Sequence, residues 1–201
     1  AEALLPRLLG APTETARAAL VGLMHAAPPP LPPAVLMLQL HQVATDGSHA
    51  GVGLKQVIEA VQTCIAEKSV FTLQAMADAL QSIVHLEPLP LIFMRTTIQA
   101  LIHHPLLAEF TMGLLRHLIS RQIWTFPRLW TGFVKCCQQG MPHSIPVMLT
   151  LPAGPITEIL TSHPELRPPL LSYGASHLSE LAPEVREALG LAEEEEETLD
   201  I

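Results

Sequence analysis

The chain has 201 residues, of which 49% are hydrophobic and 15% are charged, and a formal net charge of −8 at pH 7. This length fits one domain, and the apolar content supplies a large core and excludes wholesale disorder. Prolines, histidines or charges interrupt each apolar run before the ~18–20 residues of a membrane-spanning helix, so we predict no membrane contact. The three cysteines show no framework spacing, which is typical of a reducing compartment.

Residues 1–50 are predicted to form N-terminal helices and a proline-rich linker. The stretch APPPLPP (27–33) cannot be helical in its interior, because proline lacks the backbone N–H and clashes with the preceding turn. A helix is predicted from Pro33 or Ala34 to about Ala44. The stretch TDGSHAGVG (45–53) is predicted to be a loop, since it combines Asp-Gly with two further glycines.

Beyond this loop, apolar residues recur at spacings of three and four, the pattern of helices that bury one face. Proline stands near most predicted starts, where its missing N–H costs little. The helices are predicted from Leu54, at 71–86 with Thr72 as the N-cap, from near Pro90 to His103, after Pro105, from Pro127, and at about 144–149, 154–162, 165–173 and 183–189.

Consecutive helices joined by short turns pack as antiparallel pairs. We therefore predict an all-α fold, an irregular stack of antiparallel helix pairs like a HEAT-like or ARM-like α-solenoid. No clean sequence repeat accompanies it. The predicted divisions are 1–50, a helical domain at 51–190, and an acidic tail at 191–201 that contains Glu193–Glu197.

Charge is unevenly distributed along the chain. Between Pro88 and Thr157 there are five basic residues and one acidic residue, Glu109. The basic residues are Arg95, Arg116, Arg121, Arg128 and Lys135. This basic middle segment predicts a contact surface for an acidic protein segment, for RNA, or for the chain's own acidic tail.

The sequence contains no motif for catalysis or cofactor binding. GVG (51–53) lacks the lysine and the third glycine of a phosphate loop, and no Gly-x-Ser-x-Gly occurs. His103 and His104 are adjacent, as are Cys136 and Cys137, and adjacent helical residues point about 100° apart and do not easily share a metal. We predict no enzyme, no metal site and no cofactor, with one of the two adjacent cysteines buried and the other partly exposed.

Four of the eight aromatic residues lie around one proline, in WTFPRLWTGF (124–133). They are Trp124 and Phe126 before Pro127, and Trp130 and Phe133 after it. These rings either form a base-stacking platform beside Arg121, Arg128 and Lys135, or fill a packing joint between successive helices. The apolar neighbours Ile123, Leu129 and Val134 favour the packing joint.

Several blocks of sequence, in order, resemble the C-terminal domain of the symplekin family. The resemblance covers about residues 54–174 and is weak over 1–50. The blocks are LKQVIEAVQTCIAEKSVFT (54–72), PLPLIFMRTTIQALIHHPLL (88–107), LISRQIWTFPRLWTGFVKCCQQ (118–139) and LPAGPITEILTSHPELRPPLL (151–171).

The resemblance implies a non-enzymatic scaffold of pre-mRNA 3′-end processing in the nucleus. The implied partners are the endonuclease subunit of the cleavage and polyadenylation specificity factor and its inactive homologue, with cleavage stimulation factor as a further candidate. The same module cleaves histone pre-mRNAs in metazoans. The resemblance carries no catalytic residue to transfer.

Three functional hypotheses therefore stay open at this point. In the first, a scaffold, the five basic residues contact the partner and the aromatic joint positions them, unless Arg95 pairs internally with Glu109. The second is direct RNA binding by the same basic and aromatic surface. The third, an enzyme, requires His103, His104 and Cys136 to converge on one cavity.

Overall fold

The computed structural model describes residues 4–45 and 52–191. These residues form α-helices joined by short turns and single turns of 3₁₀-helix. The α-helices are α1 (Leu4–Leu9), α2 (Thr13–Met24), α3 (Pro33–Thr45), α4 (Leu54–Ala66), α5 (Leu73–Ile83), α6 (Phe93–His103), α7 (Ala108–Ser120), α8 (Pro127–Gln139), α9 (Ile145–Met148), α10 (Ala153–Ser162), α11 (Arg167–Ser176) and α12 (Pro183–Leu189).

The prediction of an all-α fold is confirmed for the described residues. The chain divides into two compact units, an N-terminal unit (Ala1–Leu114) and a C-terminal unit (Leu115–Ile201). Within each unit the helices stack on one another. The predicted divisions at residues 50 and 190 stay predictions, and the predicted loop and acidic tail lie largely outside the described residues.

In the N-terminal unit, α3 packs against both α4 and α5, and α4 also packs against α2 and α6. The core of this unit contains fully buried aromatic and aliphatic side chains, among them Phe71, Phe93, Met37 and Leu80. A buried polar contact joins α3 to α6, where Nε2 of His41 lies 2.9 Å from Oγ1 of Thr96. The other ring nitrogen, Nδ1, donates to the Met37 carbonyl at 2.8 Å.

In the C-terminal unit, α10 packs against α12, and α11 packs against α9 and α12. Phe133 of α8, Ile156 of α10 and Leu170 of α11 are fully buried. Ser144 is also buried and donates its hydroxyl hydrogen to the Cys137 carbonyl, with the two oxygens 2.6 Å apart. This bond attaches the end of α8 to the start of α9.

Prolines begin helical segments, as the sequence predicts. Pro33, Pro127 and Pro183 are the first residues of α3, α8 and α12. The predicted N-cap of α5 is also found, since Oγ1 of Thr72 accepts a hydrogen bond from the Ala75 N–H at 3.4 Å. Pro90, in contrast, lies three residues ahead of α6, because Leu91 and Ile92 form a turn before it.

Among the helices at 4–45 and 52–191, none is long and apolar enough to cross a membrane.

Candidate protein-interaction site

The outer face of α8 carries two exposed basic residues. Arg128 and Lys135 are seven positions apart, so they point in nearly the same direction and lie about 10.5 Å apart along the helix axis. Thr131, between them, is exposed as well. The helix from Pro127 to Gln139 contains no acidic residue, so neither cation has a carboxylate neighbour on its own helix.

The inner face of α8 is fixed by aromatic packing. The Trp130 and Phe133 rings are stacked, with centroids 5.3 Å apart and planes 17° apart, and both side chains are buried. The indole N–H of Trp130 donates to Oε1 of Glu158 on α10 at 2.8 Å. Near the other end of the helix, Nε2 of Gln138 donates to Oε1 of Glu165 at 2.9 Å. These contacts hold α8 in one orientation, with its basic face outward.

The two aromatic residues before Pro127 are placed differently. Trp124 is half-buried in a 3₁₀ turn (Ile123–Thr125), which follows the left-handed residue Gln122, with φ of 55°. Phe126 is 54% exposed, so its ring takes little part in the packing of Trp130 and Phe133. Its carbonyl accepts the Trp130 N–H at 2.8 Å as α8 begins. The aromatic cluster therefore has a buried half within α8 and a more exposed half before it.

The remaining basic residues do not share the α8 face. Arg95 belongs to α6 in the N-terminal unit, where it is exposed and forms no ion pair with another described residue, Glu109 included. Arg116, on α7, is exposed. Arg121 is half-buried and already has an interaction partner. Of the five predicted residues, Arg128 and Lys135 are the pair that one helix presents together.

The prediction for the adjacent cysteines is wrong, because both Cys136 and Cys137 are fully buried. The apolar face of α8 spans an arc of about 160°, from Cys136 to Val134, wide enough to include two neighbouring positions. Burial raises the pKa of the Cys136 thiol to about 12 and also raises that of Cys137. Both thiols are therefore protonated at neutral pH and are poor nucleophiles and metal ligands.

The adjacent His103 and His104 have different surroundings. Nε2 of His104 donates to the Phe71 carbonyl at 3.1 Å, within the N-terminal unit, and His103 is half-buried on α6. In the described part of the chain, no three His, Cys, Asp or Glu side chains are grouped closely enough to hold a metal ion.

Sequence reasoning missed a second feature, in the N-terminal unit. Leu91, Ile102 and Leu106 are exposed, Leu106 by 86%, beside the already noted Arg95. The signal was present in the sequence as Leu91, four positions before Arg95, and as Ile98 and Ile102, three and seven positions after it. This signal is masked in the sequence because the same helix also carries an apolar core face, formed by Phe93, Met94, Ala100 and Leu101.

Over the described residues the chain is all-helical, with an exposed basic face on α8 and exposed apolar residues near Arg95. The family model described as "Symplekin tight junction protein C terminal" matches residues 1–163, so the chain belongs to this family. The match includes residues 1–50, which the sequence motifs matched only weakly. No solved structure matches the chain. Family membership supports a role in a scaffold of mRNA 3′-end processing.

Proposed function

We propose that this chain is a non-enzymatic scaffold module of the nuclear machinery that cleaves and polyadenylates pre-mRNA. In this proposal it binds the nuclease-type subunits, namely the endonuclease subunit of the cleavage and polyadenylation specificity factor and its inactive homologue. Cleavage stimulation factor is a further candidate partner, and histone pre-mRNA processing a further setting. The observation that carries the proposal is the exposed basic face of α8, defined by Arg128 and Lys135.

The α8 face has the properties of a docking surface for an acidic segment. Arg128 and Lys135 lie about two helical turns apart on α8. The buried side chains of Trp130 and Phe133 fix the opposite face of this helix to the core. A rigid, preorganised pair loses less conformational freedom on binding than two charges on a flexible loop would. Complementary charge also accelerates encounter and fixes the register of the partner.

Co-purification of the full chain with the C-terminal regions of the two nuclease-type subunits tests this proposal. We expect co-elution of the wild-type chain, and its loss in the double charge reversal Arg128→Glu, Lys135→Glu. The control is the single reversal Lys68→Glu, which changes an exposed lysine outside α8 and is expected to leave co-elution intact. Arg121 is left unchanged, because it has an interaction of its own.

Circular dichroism establishes that each variant stays helical before its binding is interpreted. Co-elution that survives the double reversal would keep the scaffold role and move the interface away from α8. A folded wild-type chain that fails to co-elute with either subunit would contradict the proposed partners.

A second candidate function is direct RNA binding, which the exposed Phe126 favours. Its ring lies two residues before Arg128, so an accessible aromatic face and a cation are available at one helix start. Bases stack on exposed rings while cations contact phosphates. The buried Trp130 is excluded from such stacking, which makes RNA the weaker candidate.

Titration of the chain with a fluorescent single-stranded RNA at several salt concentrations tests this second function. RNA binding predicts an affinity that falls steeply with salt, and a further loss of about 1–3 kcal/mol in Phe126→Ala. If Phe126→Ala leaves the affinity for RNA unchanged, the Phe126 ring does not stack on bases.

A further inference from the structure

A line of exposed and half-buried apolar side chains lies on the outer side of α6 and at its two ends, in the N-terminal unit. Ile98 and Ile102 lie within an arc of about 60° that also includes Arg95, at about 100° per residue. Leu91 precedes Arg95 by four positions, in the turn before the helix, and is 48% exposed. Ile102 is 47% exposed, and Leu106, 86% exposed, lies just past the end of α6, in the 3₁₀ turn Pro105–Leu107 that follows His104. We call these five residues the α6 strip.

Arg95 is the charged residue of the α6 strip, and no described carboxylate pairs with it. On the side towards α4 it lines a small hollow of about 10 Å³, too small to admit more than one water molecule. The polar side chains that line this hollow with Arg95 are the neutral Gln62, Thr96 and Gln99. Arg95 thus has apolar and neutral polar residues around it and no described partner of opposite charge.

The apolar side chains and the unpaired Arg95 limit which kind of molecule can bind the α6 strip. An apolar strip at helical spacing fits the apolar face of another helix, whose anchors recur at three and four residues. A partner that covered Arg95 without supplying a carboxylate would bury an uncompensated charge, which is strongly unfavourable. A second copy of this chain, docked through the same strip, would bring two Arg95 guanidiniums into one apolar interface with no carboxylate from either strip.

We infer that the α6 strip binds an amphipathic helix of a partner protein, with one carboxylate of that helix paired to Arg95. RNA is the weaker fit, because Leu91, Ile102 and Leu106 offer it neither charge nor an aromatic ring. The inference does not depend on the α8 face, which belongs to the other unit.

Site-specific photocrosslinking in nuclear extract tests the inference. The full chain carries benzoylphenylalanine in place of Ile102 or, in a second preparation, of Leu106, and mass spectrometry locates the crosslinked residues. We expect both positions to crosslink to one segment of another protein, with apolar residues at helical spacing and an Asp or Glu among them. The matched control replaces Gln81, an exposed residue of α5 in the same unit, and is expected not to crosslink to that segment.

A charge swap then tests the ion pair. The identified segment, made as a peptide, is expected to bind Arg95→Glu about tenfold more weakly than the wild-type chain. Changing the carboxylate of the peptide to lysine is expected to restore binding to Arg95→Glu. Crosslinks to RNA, to a second copy of the chain, or to an extended acidic segment would overturn the inference. So would crosslinking no stronger than at Gln81, or a failed rescue by the lysine peptide.

Discussion

Single residues in this molecule show how a polar group is accommodated in an apolar core. Ser144 and Thr111 are both fully buried, but their hydroxyl groups are in different situations. Ser144 donates to the Cys137 carbonyl, whereas Oγ1 of Thr111 has no hydrogen-bond partner among the residues that the structure describes. A buried hydroxyl without a partner costs free energy, because it has lost its bonds to water and gained none.

This difference predicts opposite outcomes for two similar substitutions. Thr111→Val keeps the shape and removes the unpaired hydroxyl, so we expect the free energy of unfolding to rise by about 1 kcal/mol. Ser144→Ala removes the shorter of two hydrogen bonds to the Cys137 carbonyl, which keeps the Gly140 N–H at 3.2 Å, so we expect a fall of about 1 kcal/mol. Urea denaturation followed by circular dichroism measures both. A fall for Thr111→Val would show that its hydroxyl has a partner after all.

At the level of single residues, the sequence predicted some placements and missed others. The stacking of Trp130 on Phe133 agrees with their spacing of three on a helix whose other neighbours are apolar. The exposure of Phe126 could not be predicted from its apolar neighbours, because a position in the turn before a helix has no helical face to place its side chain. The burial of both Cys136 and Cys137 was missed because the width of the apolar face is set by the neighbouring helices.

At the level of helices, the contact between α3 and α6 depends on the buried imidazole of His41. Burial lowers the pKa of His41 to about 4, from an ordinary value of 6.5, and the hydrogen bond to the Met37 carbonyl only partly opposes this effect. The neutral ring keeps its proton on Nδ1 to donate to Met37, so the Thr96 hydroxyl donates to Nε2. The two helices are therefore joined by a neutral histidine.

The lowered pKa predicts that acid destabilises the fold. In the unfolded chain His41 binds a proton below about pH 6.5, whereas in the folded chain it does so only below about pH 4, so the unfolded state binds more protons between these values. The His41 contribution is fully present above pH 6.5 and is lost as the pH falls to 4, a change of about 3 kcal/mol. We expect urea denaturation at pH 7.5 and 4.5 to show most of this loss, about 2.5 kcal/mol.

The control is His41→Leu, in which the difference between the two pH values should shrink by that amount. Because this variant also loses the bond to Thr96, NMR titration of the wild-type imidazole provides an independent check. An imidazole that titrates near pH 6.5 in the folded chain would contradict the prediction.

Helix starts were predicted well from the sequence because proline and Thr72 act locally. Pro127 and Pro183 each occupy the first position of a helix, where a missing N–H costs little. A threonine can likewise cap a helix without help from distant residues. The contact between His41 and Thr96 was not predicted, since these residues are 55 positions apart and nothing in their local pattern links them. The same reason applies to the bond between Trp130 and Glu158.

At the level of the whole molecule, the family match and the folded C-terminal unit end at different places. The match stops at His163, whereas described helices continue to Leu189. The two later helices contribute buried side chains to the C-terminal unit, and α12 packs on α10. These side chains are Leu170 of α11 and Val185 and Leu189 of α12, and the turns before the two helices add the buried Leu166 and Leu181.

We therefore expect a chain cut after His163 to lose the cooperative unfolding of its C-terminal unit. Removal of α11 and α12 exposes apolar surface on α9 and α10, and burial of such surface is the main stabilising term in a small unit. Circular dichroism should show a loss of helix greater than the removed residues account for. The control is a chain cut after Leu191, which keeps every described helix. Equal urea midpoints for the two shortened chains would contradict the prediction.

Because all three cysteines are buried, the rate at which each one is alkylated reports how often the helices around it open. Cys64 lies in α4 of the N-terminal unit, and Cys136 and Cys137 lie in α8 of the C-terminal unit. Burial raises the pKa of each thiol, so an alkylating reagent reacts only when the surrounding helices separate. The labelling rate at Cys64 therefore reports the opening of the N-terminal unit. The rates at Cys136 and Cys137 report the opening of the C-terminal unit, and no engineered probe is needed.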